Sequence, residues 1–365
     1  MREPCALQGA AYFALRRRNA VNSILIRKLR LCKSAEKNCS RAGSFYSVPA
    51  YHDDVNKSDR DIRLLLDEVK GKSEEELFAE IRAYFEALSP DVRLSLENFF
   101  ARYPFWGKLD PKVGEYEEIR LRARLFADHA EDLEWLYGEL GDYRSKRTLY
   151  AVLSNKLRYD FASLRAVTEN LFDEYFDLDL ISVSEEEVVV DLGAYLGETV
   201  LSYLANFGKN SYKHIYCYEI TPESAAKMRR HLAGVREVEI RVKGAADVSG
   251  RVRLSPSSAS ASANTLDTSP SPDSPEVEVV TLDEDVSSPF TMLIADIEGG
   301  EYAALKGAAR HIAEEHPKLL VSVYHGNDDL WRIPRLIRAL SPNYKFYLRY
   351  KGTPYYPTEL TLFAL

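Results

Sequence analysis

The chain has 365 residues, of which 45% are hydrophobic and 28% charged, a composition typical of a soluble globular protein. At this length we expect two domains with enough apolar residues for a sizeable core. The formal net charge is −8, but residues 1–48 hold ten Lys and Arg against two Glu, so the rest of the chain is strongly acidic, which argues against nucleic acid as a partner.

Two further features of the composition bear on location. No apolar run approaches the ~20 residues that a membrane-spanning helix needs, so no transmembrane segment is expected. The cysteines are scattered and lack the paired spacing of a metal site: Cys5, Cys32, Cys39 and Cys217. Cys217 lies in an apolar strand pattern and is expected to be a buried thiol. These observations favour a reducing, cytoplasmic location.

Residues 1–48 differ in character from the rest of the chain, because they are basic and only weakly amphipathic. We expect a disordered extension, which includes the case of a translation-start artefact. A helix that anchors the protein to a surface and a targeting peptide are the alternatives.

Residues 57–180 are predicted to form an α-helical region. In SEEELFAEIRAYFEAL the apolar residues fall on one helical stripe, and Ser73 with Glu76 resembles a capping box. Tyr and Phe crowd positions 158–176. That crowding predicts either packing against the following domain or part of a substrate mouth.

Residues 183–365 alternate strand and helix patterns, which predicts an α/β fold with a doubly wound parallel sheet. The last two strand patterns, YKFYLRY and ELTLFAL, are joined by a short turn, so they should form an antiparallel C-terminal hairpin. Residues 255–275 hold eight Ser and four Pro. This composition predicts either a flexible surface loop or a lid that orders over substrate.

The stretch EEEVVVDLGAYLGETVLSYL indicates a buried strand, a tight turn and a helix N-terminus, the elements of a nucleotide-binding site. Asp191 lies at the end of the strand, and Gly193, Ala194, Tyr195 and Gly197 form the turn. Backbone approaches a ligand closely where side chains are absent, hence the glycines. A plain α/β turn is the alternative without a ligand.

The charges near this turn favour one ligand over another. Asp191 and Glu198 would repel the pyrophosphate of a dinucleotide but suit the cationic S-adenosylmethionine, and GxGxxG is absent. Glu219 ends the next strand pattern, where a carboxylate accepts hydrogen bonds from ribose hydroxyls. Asp247 is placed to meet an adenine amino group, or else is a solvated turn residue.

A second group of acids, in DIEGGE, lies at another strand-to-helix junction. Asp296, Glu298 and Glu301 would repel one another unless something positive lies among them: a sulfonium, a protonated substrate group or a divalent metal. An acid-rich helix N-terminus is the alternative. His325 ends the strand pattern VSVYH on the same edge, in a catalytic, substrate-binding or structural role. The pattern allows Mg²⁺ without requiring it, and no metal ligand is assigned.

Taken together, these motifs resemble the FkbM-type S-adenosylmethionine-dependent methyltransferases, whose class I fold is Rossmann-like. The matching segments are VDLGAYLGET (190–199), YEITPES (218–224), KGAAD (243–247), TLDEDV (281–286), DIEGGEYAALKGA (296–308), HPKLLVSVYH (316–325) and DLWRIPRLI (329–337). The resemblance implies cofactor contacts at Asp191, Gly193, Gly197 and Glu219. It also implies that Asp296 and Glu298 lie near the methyl group, and that the acceptor is a hydroxyl, often on a sugar.

The sequence departs from the family pattern at two positions. Ile294 stands where many members have Lys, and Gly300 where they often have Ala.

From the motifs and the resemblance together we expect an O-methyltransferase for a small-molecule or glycan acceptor, with Asp296, Glu298 and His325 acting on the acceptor. The alternative is a weakly active or inactive module that recruits a partner through its helical half. The identity of the acceptor and the oligomeric state are left open.

Overall fold

A computed structural model describes residues 56–255, 265–266 and 275–365. The basic extension predicted for residues 1–48, and nearly all of the Ser- and Pro-rich loop at 255–275, lie outside the described residues. Within the described ranges no helix is both long and apolar enough to cross a bilayer.

The segment that precedes the main sheet is helical. Its helices are α1 (Lys57–Val69), α2 (Glu74–Glu86), α3 (Pro90–Arg102), α4 (Glu117–Glu139), α5 (Tyr143–Arg158) and α6 (Phe161–Val167). A 3₁₀ turn at Pro104–Trp106 and a short hairpin of β1 (Leu109–Asp110) and β2 (Glu115–Tyr116) separate α3 from α4. We call α1 to α6, with the 3₁₀ turn and this hairpin, the helical half.

Local sequence explains how these helices begin. At α2 the Ser73 hydroxyl accepts from the Glu76 backbone N–H while the Glu76 carboxylate accepts from the Ser73 N–H, which confirms the expected capping box. Pro90 opens α3, where its missing N–H leaves no intrahelical bond unmade. The residues that α2 buries are Leu77, Ile81 and Phe85, which belong to the expected stripe.

The main sheet has seven strands in the order β12-β13-β11-β10-β3-β4-β5. They are β3 (Val188–Leu192), β4 (His214–Tyr218), β5 (Val238–Arg241), β10 (Met292–Ala295), β11 (Lys318–Ser322), β12 (Phe346–Tyr350) and β13 (Leu360–Ala364). β13 runs antiparallel to both β11 and β12, and the other pairs are parallel. The expected doubly wound sheet with an antiparallel C-terminal hairpin is confirmed.

Helices connect these strands: α7 (Glu198–Phe207), α8 (Pro222–His231), α9 (Leu282–Asp285), α10 (Glu301–Lys306), α11 (Ala309–Glu315) and α12 (Asp329–Leu340). The chain leaves β3 toward β4 on one side and returns in β10 on the other, so the strand order reverses between β3 and β10. Ligands of such sheets bind at this reversal, beyond the carboxyl ends of the strands.

A smaller sheet follows β5. Its strands are β6 (Gly244–Ala245), β7 (Gly250–Ser255), β8 (Thr265–Leu266) and β9 (Glu276–Val280), in the order β6-β9-β7-β8. The sequence pattern VEIRVKGAAD reads as one strand, but the structure divides it between β5 and β6, which belong to different sheets.

The helical half and the main sheet belong to one compact unit, Val55–Leu365, and share one hydrophobic core. Polar contacts reinforce the junction at β12. The buried guanidinium of Arg349 donates to Asp177 at 2.5 Å and to Asp142 at 2.8 Å, and the backbone N–H of Leu348 donates to the hydroxyl of Ser145 at 2.9 Å. The helical half is therefore held rigidly beside the carboxyl edge of the sheet.

Candidate active site

The glycine turn after β3 lies directly against the exit of β10. A Cβ atom added to Gly193 would lie 1.9 Å from the carbonyl oxygen of Asp296, and φ is +83° there, so this position requires glycine. The backbone N–H groups of Gly193 and Ala194 both donate to the carbonyl of Tyr218 at 3.0 Å. The turn is thus fixed to both neighbouring strands.

Tyr195 and Gly197 complete this turn in left-handed backbone, with φ of 45° and 88°. Gly197 is the N-cap of α7, so the helix N-terminus begins where the turn ends. Its position is also tight, because an added Cβ would lie 3.0 Å from the side chain of Leu232. The chain folds here as the sequence predicts, into a strand, a close turn and a helix.

Asp191 is a buried carboxyl group, 1% exposed, in β3 just before this turn. Its Oδ2 atom has no hydrogen-bond partner within the described part of the chain. Burial raises the pKa of Asp191 to about 8, and the charges of Asp296, Glu198 and Glu219 add to that effect. A buried carboxyl group with a raised pKa is stabilised by a bound proton or by a cation placed beside it.

Glu219 follows β4 and is also buried. Its Oε1 atom accepts a hydrogen bond from the backbone N–H of Thr221 at 2.6 Å. Burial raises the pKa of Glu219, while the backbone N–H groups of Thr221 and Tyr195 work in the opposite direction. Contact with the Tyr195 amide places this carboxylate beside the glycine turn.

Asp247 lies in a different environment from the other residues expected at the donor site. It is exposed, and its carboxylate accepts from the ammonium of Lys306 at 2.7 Å. This contact lowers its pKa. The structure brings Asp191, the turn and Glu219 together, and places Asp247 in a solvated ion pair.

The second site feature is an ion cluster around His325, which we define as Asp296, Glu298, Glu301 and His325. The Nε2 atom of His325 lies 3.5 Å from Asp296 Oδ1 and 3.2 Å from Glu298 Oε2, and Nδ1 lies 2.9 Å from Glu301 Oε1. Although burial opposes the charge, these carboxylates raise the pKa of His325 well above its usual value. In its protonated form, His325 supplies the positive charge that the acidic motif requires.

Glu301 anchors this cluster from the first turn of α10. It is fully buried, and its two oxygens accept from the backbone N–H groups of Ile297 and Gly299 at 2.8 and 3.0 Å. Although burial opposes ionisation, the neighbouring His325 charge leaves the pKa of Glu301 below its usual value. Glu298 reaches His325 from a left-handed backbone conformation with φ of 55°.

Asp296 faces two phenols. Tyr175 donates a hydrogen bond from Oη to Asp296 Oδ2 at 2.6 Å, and Tyr324 Oη lies 3.5 Å from both oxygens of that carboxylate. Burial raises the pKa of Asp296 to about 6, while His325 and Tyr175 act to lower it. The carboxyl group of Asp296 is consequently mostly ionised at neutral pH, and its carboxylate is a stronger base than that of an ordinary aspartate. Tyr175 was not singled out by the sequence; the crowding of aromatics at 158–176 was its only signal.

Among the described residues, Asp296, Glu301 and His325 lie close enough together to be considered as a metal site. Both oxygens of Glu301 are already committed to backbone amides, those of Ile297 and Gly299. The arrangement fits an ion cluster of His325 with the neighbouring carboxylates. It does not support the Mg²⁺ site that the sequence allows.

Comparison with known proteins identifies the region that carries these features. Residues 191–348 match the family described as the methyltransferase FkbM domain. A crystal structure of methyltransferase FkbM from Methylobacillus flagellatus is 25% identical, with a TM-score of 0.57, and the match covers 69% of this chain and 63% of that one. This chain therefore spans less than two thirds of that structure.

More distant structures match about half of the chain. An rRNA methylase from Streptococcus thermophilus is 15% identical with a TM-score of 0.33, covering 50% of this chain and 87% of that one. Fibrillarin from Aeropyrum pernix, with natively bound S-adenosyl-L-methionine, is 12% identical with a TM-score of 0.30, covering 51% and 70%. Similarity this low gives no information about the acceptor. No curated protein matches the chain.

Proposed function

Because residues 191–348 are a methyltransferase domain of the FkbM family, we propose that the protein is an S-adenosylmethionine-dependent O-methyltransferase. Its acceptor is a hydroxyl group on a sugar, a polysaccharide or a glycosylated natural product. The observation that carries the proposal is the buried Asp191, whose unpartnered oxygen lies at the glycine turn beside the ion cluster.

The residues around the turn fit this donor. S-adenosylmethionine supplies an electrophilic methyl group and carries positive charge, which suits a buried carboxyl that lacks a partner. Glu219, with one oxygen held by a backbone amide, is suited to ribose hydroxyls. We assign Asp191, the turn from Gly193 to Gly197, and Glu219 to donor binding. Asp247 stays a proposed adenine contact that would have to give up its ion pair with Lys306.

The ion cluster supports chemistry on a hydroxyl. An alcohol that becomes an ether loses its proton, and a nearby base must take it. Asp296 is ionised at neutral pH and its pKa, about 6, lets it hold that proton transiently. The surrounding carboxylates raise the pKa of His325 well above its usual value, so we assign it to positioning Asp296 and Glu298 rather than to proton abstraction. We assign Glu298 to orienting the acceptor.

The departure at position 294 does not disturb this arrangement. Ile294 is 1% exposed and belongs to the core cluster that includes Val189 and Met292. The absence of Lys at this position is one reason to consider an inactive module that recruits a partner. Because Ile294 packs in the core, it leaves the carboxyl ends of the strands undisturbed. The free thiol of Cys217, fully buried in β4, suits the proposed cytoplasmic setting.

Titration calorimetry with S-adenosylmethionine tests the proposal. We expect micromolar binding by the wild type, equal in magnesium and in chelator, and its loss in Asp191→Ala. Asp191 has no bond to lose at Oδ2, so the variant should remain folded, which circular dichroism would check. Glu185→Ala, at an exposed position shortly before β3, is the matched control and should bind normally. Wild-type affinity in Asp191→Ala would refute the assignment of the donor site.

A further inference from the structure

A cavity opens between the helical half and the carboxyl edge, next to the ion cluster. The helical half contributes Phe99, Trp106 and Glu118 to its lining, and the edge contributes Tyr324 and His325. His325 belongs to the ion cluster and Tyr324 lies beside it, since each side chain approaches the carboxylate of Asp296 to 3.5 Å. The cavity therefore adjoins the groups that we assign to proton transfer.

One side of this cavity is aromatic. Phe99 stacks on Tyr356 with ring centroids 3.7 Å apart and an interplanar angle of 11°. Phe99 also stacks on Trp106, at 5.1 Å and 9°. These stacked rings give the cavity an apolar, aromatic lining on this side.

The other side carries a buried acceptor that is not used by the protein. Glu118 lies in α4 and is 5% exposed. Its Oε1 atom pairs with Nε of Arg122, but Oε2 has no hydrogen-bond partner among the described residues. A buried carboxylate oxygen without a donor is unfavourable, so a donor from a ligand would stabilise it. Across the cavity lining, Lys156 donates to Oδ1 of Asn327 at 2.5 Å.

The charged groups around Glu118 restrict the charge of the ligand that this cavity can bind. Arg122 and Lys156 lie close to it, so a cationic ligand would meet two positive groups, while an anion would meet the free carboxylate oxygen. Burial and the charge of Arg122 lower the pKa of Lys156 to about 7, so its amine both donates and accepts near neutral pH. A neutral hydroxyl group can form a hydrogen bond with either the carboxylate of Glu118 or the amine of Lys156.

We propose that this cavity is the acceptor site and that it takes a neutral pyranoside, with Glu118 and Lys156 as specificity-determining residues. The aromatic side receives apolar C–H groups of the ring, Glu118 accepts a hydrogen bond from one hydroxyl, and Lys156 forms a hydrogen bond with another. This inference rests on the proposed function, and it adds that the helical half selects the acceptor.

The test uses the full-length protein saturated with S-adenosylhomocysteine. Saturation-transfer NMR is recorded with methyl glycosides of glucose, galactose, mannose and rhamnose. At least one of them should bind the wild type. Leu121→Trp, which fills the cavity from α4, should abolish that binding, and Lys156→Met should weaken it about tenfold, the effect of losing one hydrogen bond. Lys146→Met, on the same helix but lining a different pocket, is the matched control and should bind as the wild type does.

The outcomes separate this inference from its premise. Calorimetry with S-adenosylhomocysteine on the same samples shows whether each variant is folded and competent for the donor. If the donor product binds the wild type but none of these glycosides does, or if glycoside binding survives both cavity variants, the acceptor site is overturned. If S-adenosylhomocysteine itself does not bind the wild type, the proposed function falls, and the acceptor site falls with it.

Discussion

Tyr175 donates a hydrogen bond to Asp296 across 2.6 Å, and these residues are 121 positions apart. Tyr175 belongs to the segment between α6 and β3, whereas Asp296 follows β10. The next residue, Phe176, is buried against Tyr203 and Phe207. Of the two alternatives for the aromatic segment, packing applies to Phe176, while the role of this segment in a substrate mouth stays a prediction.

Replacing Tyr175 by Phe should make Asp296 a stronger base. The hydrogen bond from Tyr175 lowers the pKa of Asp296, so removing it should raise that pKa from about 6 by about one unit, the equivalent of one charge-assisted hydrogen bond. A ¹³C NMR titration of labelled aspartate carboxyls measures this directly. Tyr302→Phe, on α10, is the control; a midpoint for Asp296 that is the same in both variants would contradict the prediction.

Asp191→Asn should stabilise the protein in mildly alkaline buffer. The pKa of Asp191 is raised in the folded state from 3.8 to about 8, so the folded protein holds a proton that the unfolded chain has lost. Stability from this group is complete below pH 3.8 and declines as pH rises toward 8. Asn keeps the neutral form at every pH, so the gain should grow with pH to an upper limit of roughly 6 kcal/mol, the equivalent of about four pKa units.

Urea unfolding of both proteins at pH 5 and pH 8.5 checks this prediction. The difference in unfolding free energy should be larger at the higher pH. A gain that is equal at both pH values would mean that Asp191 is not protonated in the folded state.

The sequence predicts the sheet and the glycine turn because both depend on local patterns. Val188 to Val190 are apolar on both faces of a buried strand, and the turn needs glycine at Gly193 for close approach. The carboxyl edge of a parallel sheet then brings Asp191 near Asp296 without further information.

Other features arise from contacts between distant segments. Glu118 and Lys156 lie on amphipathic helices and carry no motif, and only the packing of the helical half against the sheet brings them to one cavity beside His325. The charge state of His325 is likewise set by three carboxylates around it, and sequence alone does not give their distances. This is why we propose a positioning role for His325, whose role the sequence leaves open.

His325→Gln should destabilise the fold by roughly 3–5 kcal/mol, because it leaves the buried carboxylate of Glu301 without its cation. The pKa of His325 is raised above 6.5, so its contribution is fully present below pH 6.5 and is lost as pH rises through the folded-state value. The loss of stability caused by His325→Gln should therefore become smaller in alkaline buffer. His231→Gln, at an exposed site, is the control.

A double-mutant cycle with Glu301→Gln sharpens that result. If the imidazolium and the carboxylate form one unit, the second substitution should cost much less in the His325→Gln background than alone. Additive effects in urea unfolding would show that the two side chains act independently despite the 2.9 Å contact.

The close approach of the glycine turn to β10 can be separated from backbone strain by comparing two glycines. Gly193 and Gly208 have φ of +83° and +88°, but an added Cβ would lie 1.9 Å from the Asp296 carbonyl at Gly193 and would meet nothing within 4 Å at Gly208. Gly208→Ala should cost only backbone strain, roughly 1–3 kcal/mol for a residue at φ of 88° and ψ of 170°. Gly193→Ala should cost more and should also displace Asp296 from the turn, so S-adenosylhomocysteine affinity should fall in this variant alone. Equal losses of stability and unchanged affinity, measured by urea unfolding and calorimetry, would show that the turn tolerates separation from β10.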